Sequence, residues 1–346
     1  MSTQASPGGP PRVGADTDEA PRRRRSAGMI IYAVIGAIVV ATATWFSFQS
    51  ATAGSDARSN VTLIAPAGAG GGWDTFMREM QQAMRANGIV NNSQVVNIPG
   101  AAGTIGLSKL STMSGEANAL MVSGAGLVAG VAQLDSAVTH DDVRPIARVV
   151  EEYDVVVVLA ESPYQSLDDL VGAWEANPGA VPWTGGGTFD QLVITDFALK
   201  AGLSPRDVTY IPKSGGGEAT QALITRTAAA ATSGYKDVAD QIDAGRLRAL
   251  GLAAPERLPG VDIPTMREQG YDVTLANWRA VVAPPGITQE EFEELRAVTR
   301  ETVATPEWHS AIERSKWTDV YLDGPDFDAW LADEQTRIGE LVQEIR

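Results

Sequence analysis

From about residue 60 to residue 275, short apolar runs alternate with amphipathic ones. Runs at 61–65, 94–98, 119–123, 155–159, 208–211, 248–253 and 280–283, most of them apolar on both faces, read as strands of sheets covered by helices. Between them, 75–86, 168–176, 189–201, 218–226 and 236–243 carry helical spacing. In the first of these, Phe76, Met77, Met80, Ala83 and Met84 fall on one stripe. Strands alternating with helices imply an α/β protein whose sheets are largely parallel and covered by helices. The tail differs: 288–304, 306–316 and 325–345 are three helical stretches in succession. In the last, Phe327, Trp330, Leu331, Ile338, Leu341, Val342 and Ile345 make a seam expected to pack back onto a lobe. The extended run 276–285 is expected to carry the chain between lobes. Residues 60–160 plus 275–346 are assigned to lobe one and 161–274 to lobe two.

The apolar runs end repeatedly in the same device, a glycine-rich turn followed by a helix start. It occurs at Gly68-Ala-Gly-Gly-Gly-Trp-Asp74, Pro99-Gly-Ala-Ala-Gly-Thr104, Thr184-Gly-Gly-Gly-Thr188 and Lys213-Ser-Gly-Gly-Gly-Glu218. Glycine lets backbone N–H groups approach a ligand closely, and the first turn of a helix adds unpaired donors. Such turns cradle anions. Two lie in each expected lobe, which suggests a multiply charged anion gripped from both sides. The expected contacts are Gly70, Gly71 and Gly72 in the first turn, and Gly100, Ala101, Ala102, Gly103 and Thr104 in the second. Lobe two would add Thr184, Gly185, Gly186, Gly187 and Thr188, then Lys213, Ser214 and Gly215. Ser123 and Gly124, after another strand, are a further expected contact. Trp73 either closes over the ligand or packs between loop and lobe. Lys213 and Arg279 are the candidate cations, each with a plain alternative as a solvated side chain. Asp74 is expected to cap its helix, and Arg78 to form a surface or interlobe ion pair.

Composition narrows the chemistry. The 346 residues carry a net charge of −16, with no cysteine and two histidines. Setting aside the five arginines and three acids of residues 1–53 leaves −18 on the rest. That sign disfavours nucleic acid and anionic membrane surfaces as partners. Without cysteine there are no disulfides, thiolate metal sites or lipidated cysteine. His140, in a polar run, is expected on an exposed loop or helix cap, and His309 on the surface of a tail helix. The chain has no HExxH, GxSxG or Gly-Lys phosphate-loop pattern, so neither an enzyme nor a resident cofactor or metal is expected. Dinucleotide binding fits poorly as well, because Trp73 stands where the third glycine of that fingerprint belongs.

The N-terminus reads as a targeting segment. Arg22 to Arg25 precede residues 29–48, twenty positions without a charge, which is about the length that crosses a bilayer. The arginines hold their end in the cytoplasm and send the remainder out. Residues 1–28 are expected to be a disordered cytoplasmic leader. Ala51-Thr52-Ala53 fits a signal-peptidase site, so a retained anchor and a cleaved signal both stay open.

At these residues the chain resembles the extracytoplasmic solute-binding proteins of tripartite tricarboxylate transporters. The resemblance rests on Gly70-Gly-Gly-Trp-Asp74 with Arg78, and on Val96-Asn-Ile-Pro-Gly-Ala-Ala-Gly-Thr-Ile-Gly-Leu107. It continues through Ala244-Gly-Arg-Leu-Arg248, Pro255-Glu-Arg-Leu-Pro259, Asn277-Trp-Arg279, Pro284-Pro-Gly-Ile287 and Lys316-Trp-Thr-Asp319. It implies a two-lobed, type II-like periplasmic-binding-protein fold, with the ligand in the interlobe cleft, here preceded by one hydrophobic helix. It also implies a monomer that closes on a di- or tricarboxylate, citrate-like ligands first, and delivers it to a large and a small membrane subunit. Two rivals stand beside it. A carboxylate-sensing module would lack neighbouring transporter membrane genes, and an exported enzyme would turn over a candidate acid.

Overall fold

The computed structural model of the protein describes residues 57–213 and 215–346. The expected leader, the apolar span 29–48, the cleavage site near Ala53 and Ser214 lie outside the described residues.

β1 (Val61–Ala65), buried along its whole length, pairs in parallel with β2 (Ser93–Asn97) and β3 (Ala119–Gly124). α1 (Gly72–Ala86), α2 (Thr104–Ser111) and α3 (Ala125–Gln133) follow these strands in turn. The stripe on α1 is buried as its spacing requires, with Phe76 edge-on to Trp308 at a centroid separation of 5.4 Å.

β4 (Arg144–Leu159) then runs for 16 residues. The second part of the fold holds α4 (Leu167–Ala176), β5 (Trp183–Gly185), α5 (Thr188–Lys200) and β6 (Tyr210–Pro212). After these come α6 (Gly216–Ile224), β7 (Ala230–Gly234), α7 (Tyr235–Asp243) and β8 (Leu247–Leu252). β9 (Ala276–Ala283) returns to the first part, followed by α8 (Gln289–Val303), α9 (Pro306–Ser315), β10 (Thr318–Asp323) and α10 (Gly324–Ile345).

The strand order is β2-β1-β3-β9-β4-β7-β5-β6, and β8 and β10 also pair with β4. β4 is therefore central twice. Its first part lies between β9 and β10, and its second part between β7 and β8. All four pairings are antiparallel, as is β3 with β9. The sheet is thus mixed, where a largely parallel one was expected. Apolar residues on both faces report burial, and a buried strand looks the same in either direction.

α10 corrects a second expectation. Its seam, with Phe327, Leu331, Ile338, Leu341 and Val342 buried, packs against α3 from the first part and α5 from the second. It bridges the two parts of the fold and does not cover one alone.

Candidate functional site

The turns after β1, β2, β5 and β6 meet around one cavity of about 1130 Å³. Each follows the carboxyl end of a parallel strand, where ligands bind in open α/β sheets. Gly70, Gly71, Gly72 and Trp73 line it beside Gly100, Ala101, Ala102 and Gly103. Gly186, Gly187, Thr188, Lys213, Gly215 and Arg279 complete the set of expected residues that the structure brings together.

Two turns are built by the same local device. Asp74, in the first turn of α1, accepts the Gly70 N–H at 2.7 Å, and also bonds from Asn97 and Arg78. Burial pushes the Asp74 carboxyl up, but these donors outweigh it and hold it below the usual carboxylate range. Asp190, in the first turn of α5, accepts the Gly186 N–H at 2.5 Å. Each carboxylate fixes a turn four residues upstream, and neither is its helix's N-cap residue. Arg78, itself exposed, reaches the buried Asp74 in an i,i+4 pair.

The second turn is strained. Gly100, Ala101, Ala102 and Gly103 all have positive φ, at 130°, 46°, 52° and 93°. The left-handed region costs an alanine roughly 1–2 kcal/mol, and such conformations concentrate at ligand sites. At Gly103 a Cβ would meet the Trp73 ring at 2.8 Å, so the Trp73 indole packs beneath this loop. In the second part of the fold, a Cβ at Gly186 would lie 2.4 Å from the Gly215 carbonyl carbon. There the two turns touch backbone to backbone.

Arg279 forms the cavity floor. Strand alternation on β9 sends Asn277 and Arg279 to the cleft and Trp278 to the opposite face, where its indole N–H donates to Glu334 at 3.1 Å. Arg279 donates through Nη2 to Glu152, which also accepts from Trp317 Nε1 at 3.1 Å and Asn277 Nδ2 at 3.3 Å. Burial pushes the Glu152 carboxyl up, and Arg279 opposes that shift.

Five expected contacts lie off the cavity wall. Thr104 Oγ1 donates to the Ala101 carbonyl at 2.9 Å, and Thr184 Oγ1 to that of Ile211 at 2.7 Å. Gly185 packs beneath its turn against Asp190, and Gly124 against the Trp278 carbonyl. Ser123 Oγ lies 2.6 Å from His140 Nε2. His140 is thus not the exposed residue expected from its polar neighbours. It is 3% exposed, because the Thr139 capping box turns its ring inward under β3, and burial lowers its pKa to about 4.

The acids of the cleft are what sequence reasoning missed. Glu152, Asp190 and Asp237 all line the cavity. Only Asp190 carried a usable signal, its position four residues after a turn glycine, the spacing that Asp74 also has. Among the described residues no group of three or more His, Asp or Glu side chains is placed to hold a metal ion. Nor is any described helix long and apolar enough to cross a membrane.

The family model for TctC, the tripartite tricarboxylate transporter family receptor, matches residues 77–346. The chain belongs to this family. Protein BugT of Bordetella pertussis is 28% identical to it over 297 residues, covering 82% of this chain and 88% of BugT. A TctC solute-binding protein from Polaromonas shares the fold at a TM-score of 0.66 and 25% identity, covering 82% of this chain and 98% of its own. MatC of Rhodopseudomonas palustris, solved with malate bound, has a TM-score of 0.69 at 21% identity, covering 82% and 98% of the two chains. The receptor is a solute-binding protein of the tripartite tricarboxylate transporter type, with a mixed α/β, periplasmic-binding-protein-like fold.

Proposed function

We propose that this receptor captures a small organic carboxylate in the cleft by hinge closure and hands it to two membrane subunits. The observation that carries this reading is the convergence of four glycine turns on one cavity in a chain of this family. An open form binds the carboxylate on the turns after β1 and β2. The turns after β5 and β6 then close over it, so that the ligand shifts a pre-existing equilibrium between open and closed states. Gly70 to Trp73, Gly100 to Gly103, Gly186 to Thr188, Lys213, Gly215 and Arg279 are the proposed contacts.

Solved relatives hold malate and, in another protein of Rhodopseudomonas palustris, adipate. Di- and tricarboxylates up to citrate are therefore the first solutes to test. Export by the N-terminal segment, with residues 29–48 kept as an anchor or removed near Ala53, completes the proposal. A thermal-shift screen of the full-length receptor against organic acids is the test. A bound acid at a hundredfold excess over its Kd adds about 2.7 kcal/mol of stability. If no carboxylate raises Tm at millimolar concentration, the receptor reading of this cleft fails. N-terminal sequencing of protein from the native host decides between anchor and signal.

A further inference from the structure

Four carboxylates stand together where β4 leaves its pairing with β9 and takes up its pairing with β7. Glu152 and Asp154, two residues apart on β4, share one face of the strand. Asp190 approaches Asp154 from α5 and Asp237 from α7. Three of the four are compensated. Glu152 accepts from Arg279, Trp317 and Asn277, and Asp190 from the Gly186 N–H. Arg279 and Lys236 oppose the charge of Asp237. Asp154 has no such help. It is 0% exposed, and neither of its carboxylate oxygens has a hydrogen-bond partner among the described residues. Tyr210, on β6, gives its hydroxyl proton to the Gly187 carbonyl at 3.2 Å, and Lys213 follows β6 on the cavity wall. On β7 the residue opposite Asp154 is Gly234, which brings no charge.

A carboxylate buried without a donor and beside like charges is costly when ionised, and a proton removes that cost. Glu152, Asp190 and Asp237 also line the cleft, so an anionic solute adds its charge to theirs and makes an ionised Asp154 costlier still. We propose that Asp154 is a proton site linked to the cleft, filled as an anionic solute binds, so that the receptor takes up solute and proton together. This rests on the reading of the cleft as a carboxylate site. Linkage makes the effect mutual: the solute tightens the proton by the same factor as the proton tightens the solute. Affinity therefore rises as pH falls through the range in which Asp154 ionises. Burial first, then the charges of Asp190, Glu152 and Asp237, sets that range well above the one usual for a carboxylate.

The test is calorimetry on the full-length receptor with malate and adipate, or with the tightest acid of the thermal-shift screen if neither binds. Each titration is repeated in buffers of different ionisation enthalpy, which counts the protons taken up. From pH 6.5 to pH 9 the affinity should weaken by about tenfold or more, since one linked proton gives up to about tenfold per pH unit. The buffer series should show net proton uptake on binding. Asp154→Asn, neutral at every pH, should hold one affinity across the range and take up no proton, with circular dichroism confirming the fold. Binding without proton uptake in the wild type overturns the proposal and leaves the carboxylate-receptor reading standing. So does an uptake that survives in Asp154→Asn, because the proton then rests elsewhere. Silence from every carboxylate removes both.

Discussion

Gly72 stands so close to Arg279 that a single added carbon would come 2.8 Å from Nη2. The contact joins the start of α1 to β9, and through Arg279 to Glu152 on β4. Nothing at Gly72 calls for left-handed backbone, since its φ is not positive; what requires glycine is the space taken by the guanidinium. Gly71 has more room, with 3.4 Å to the Gly68 carbonyl oxygen.

Gly72→Val is therefore expected to displace Arg279 and weaken ligand binding by about tenfold or more, the cost of losing a charged hydrogen bond. The fold should survive, because the clashing atom is the end of a flexible side chain. Calorimetry with the best ligand from the screen is the measurement. Unchanged affinity in a folded Gly72→Val receptor would remove Arg279 and this turn from the site.

Lys213→Ala should weaken carboxylates as a class by about tenfold to a hundredfold. It should do so without changing the order in which the receptor ranks them, since Lys213 offers charge and no shape. Equal affinities in wild type and variant would return Lys213 to a solvated strand end.

Asp154 is expected to cost stability at high pH. Burial first, then the charges of Asp190, Glu152 and Asp237, push its carboxyl well above the usual range. A raised acid contributes stability that is present below its unfolded pKa and lost as pH rises through the folded one. Asp154→Asn should therefore raise Tm by about 2 °C or more at pH 8, and by less at pH 5. An equal gain at both pH values would show that charge is not the cause.

His140 works in the opposite direction. With a folded pKa of about 4 against an ordinary 6.5, it is neutral in the fold and binds a proton more readily once unfolded. Its contribution is complete above pH 6.5 and is lost as pH falls toward 4, by about 2 kcal/mol at pH 5. Urea unfolding of wild type and His140→Gln at pH 7.5 and pH 5 checks this. A parallel drop in both proteins would assign the acid sensitivity to other groups.

Much of the architecture was legible because burial and periodicity write themselves into sequence. β1 and the stripe of α1 are the clearest cases, and the glycine turns announced the cavity. β4 was read only over 155–159, because Arg148, Glu151 and Glu152 break the apolar run that precedes it. β7 was missed because Ala230–Gly234 is made of small residues with no strand character of their own. α2 and α3 hide behind Gly106, Gly126 and Gly130. Packing explains two of these glycines: a Cβ at Gly106 would strike Pro66, and one at Gly130 would strike Ala102. The cleft acids were hidden by number, since any one carboxylate among 43 acidic residues carries little weight. Only the folded chain selects Glu152, Asp190 and Asp237 from the rest.

β4 also constrains how such a protein can be altered. Because one unbroken strand is the middle of both sheet regions, neither region is a cassette that can be lifted out and replaced. β4 bulges against β9 between Pro145 and Ala147 and between Arg148 and Val150, and beyond these its side chains alternate, so deleting one residue near Tyr153 would turn every later position over. Asp154 would then face the opposite side and the partners of β7 and β8 would be out of step, while β9 and β10 kept theirs. Length changes belong in the loops, and the spacing between Val150 and Leu159 behaves as a fixed ruler for the whole receptor.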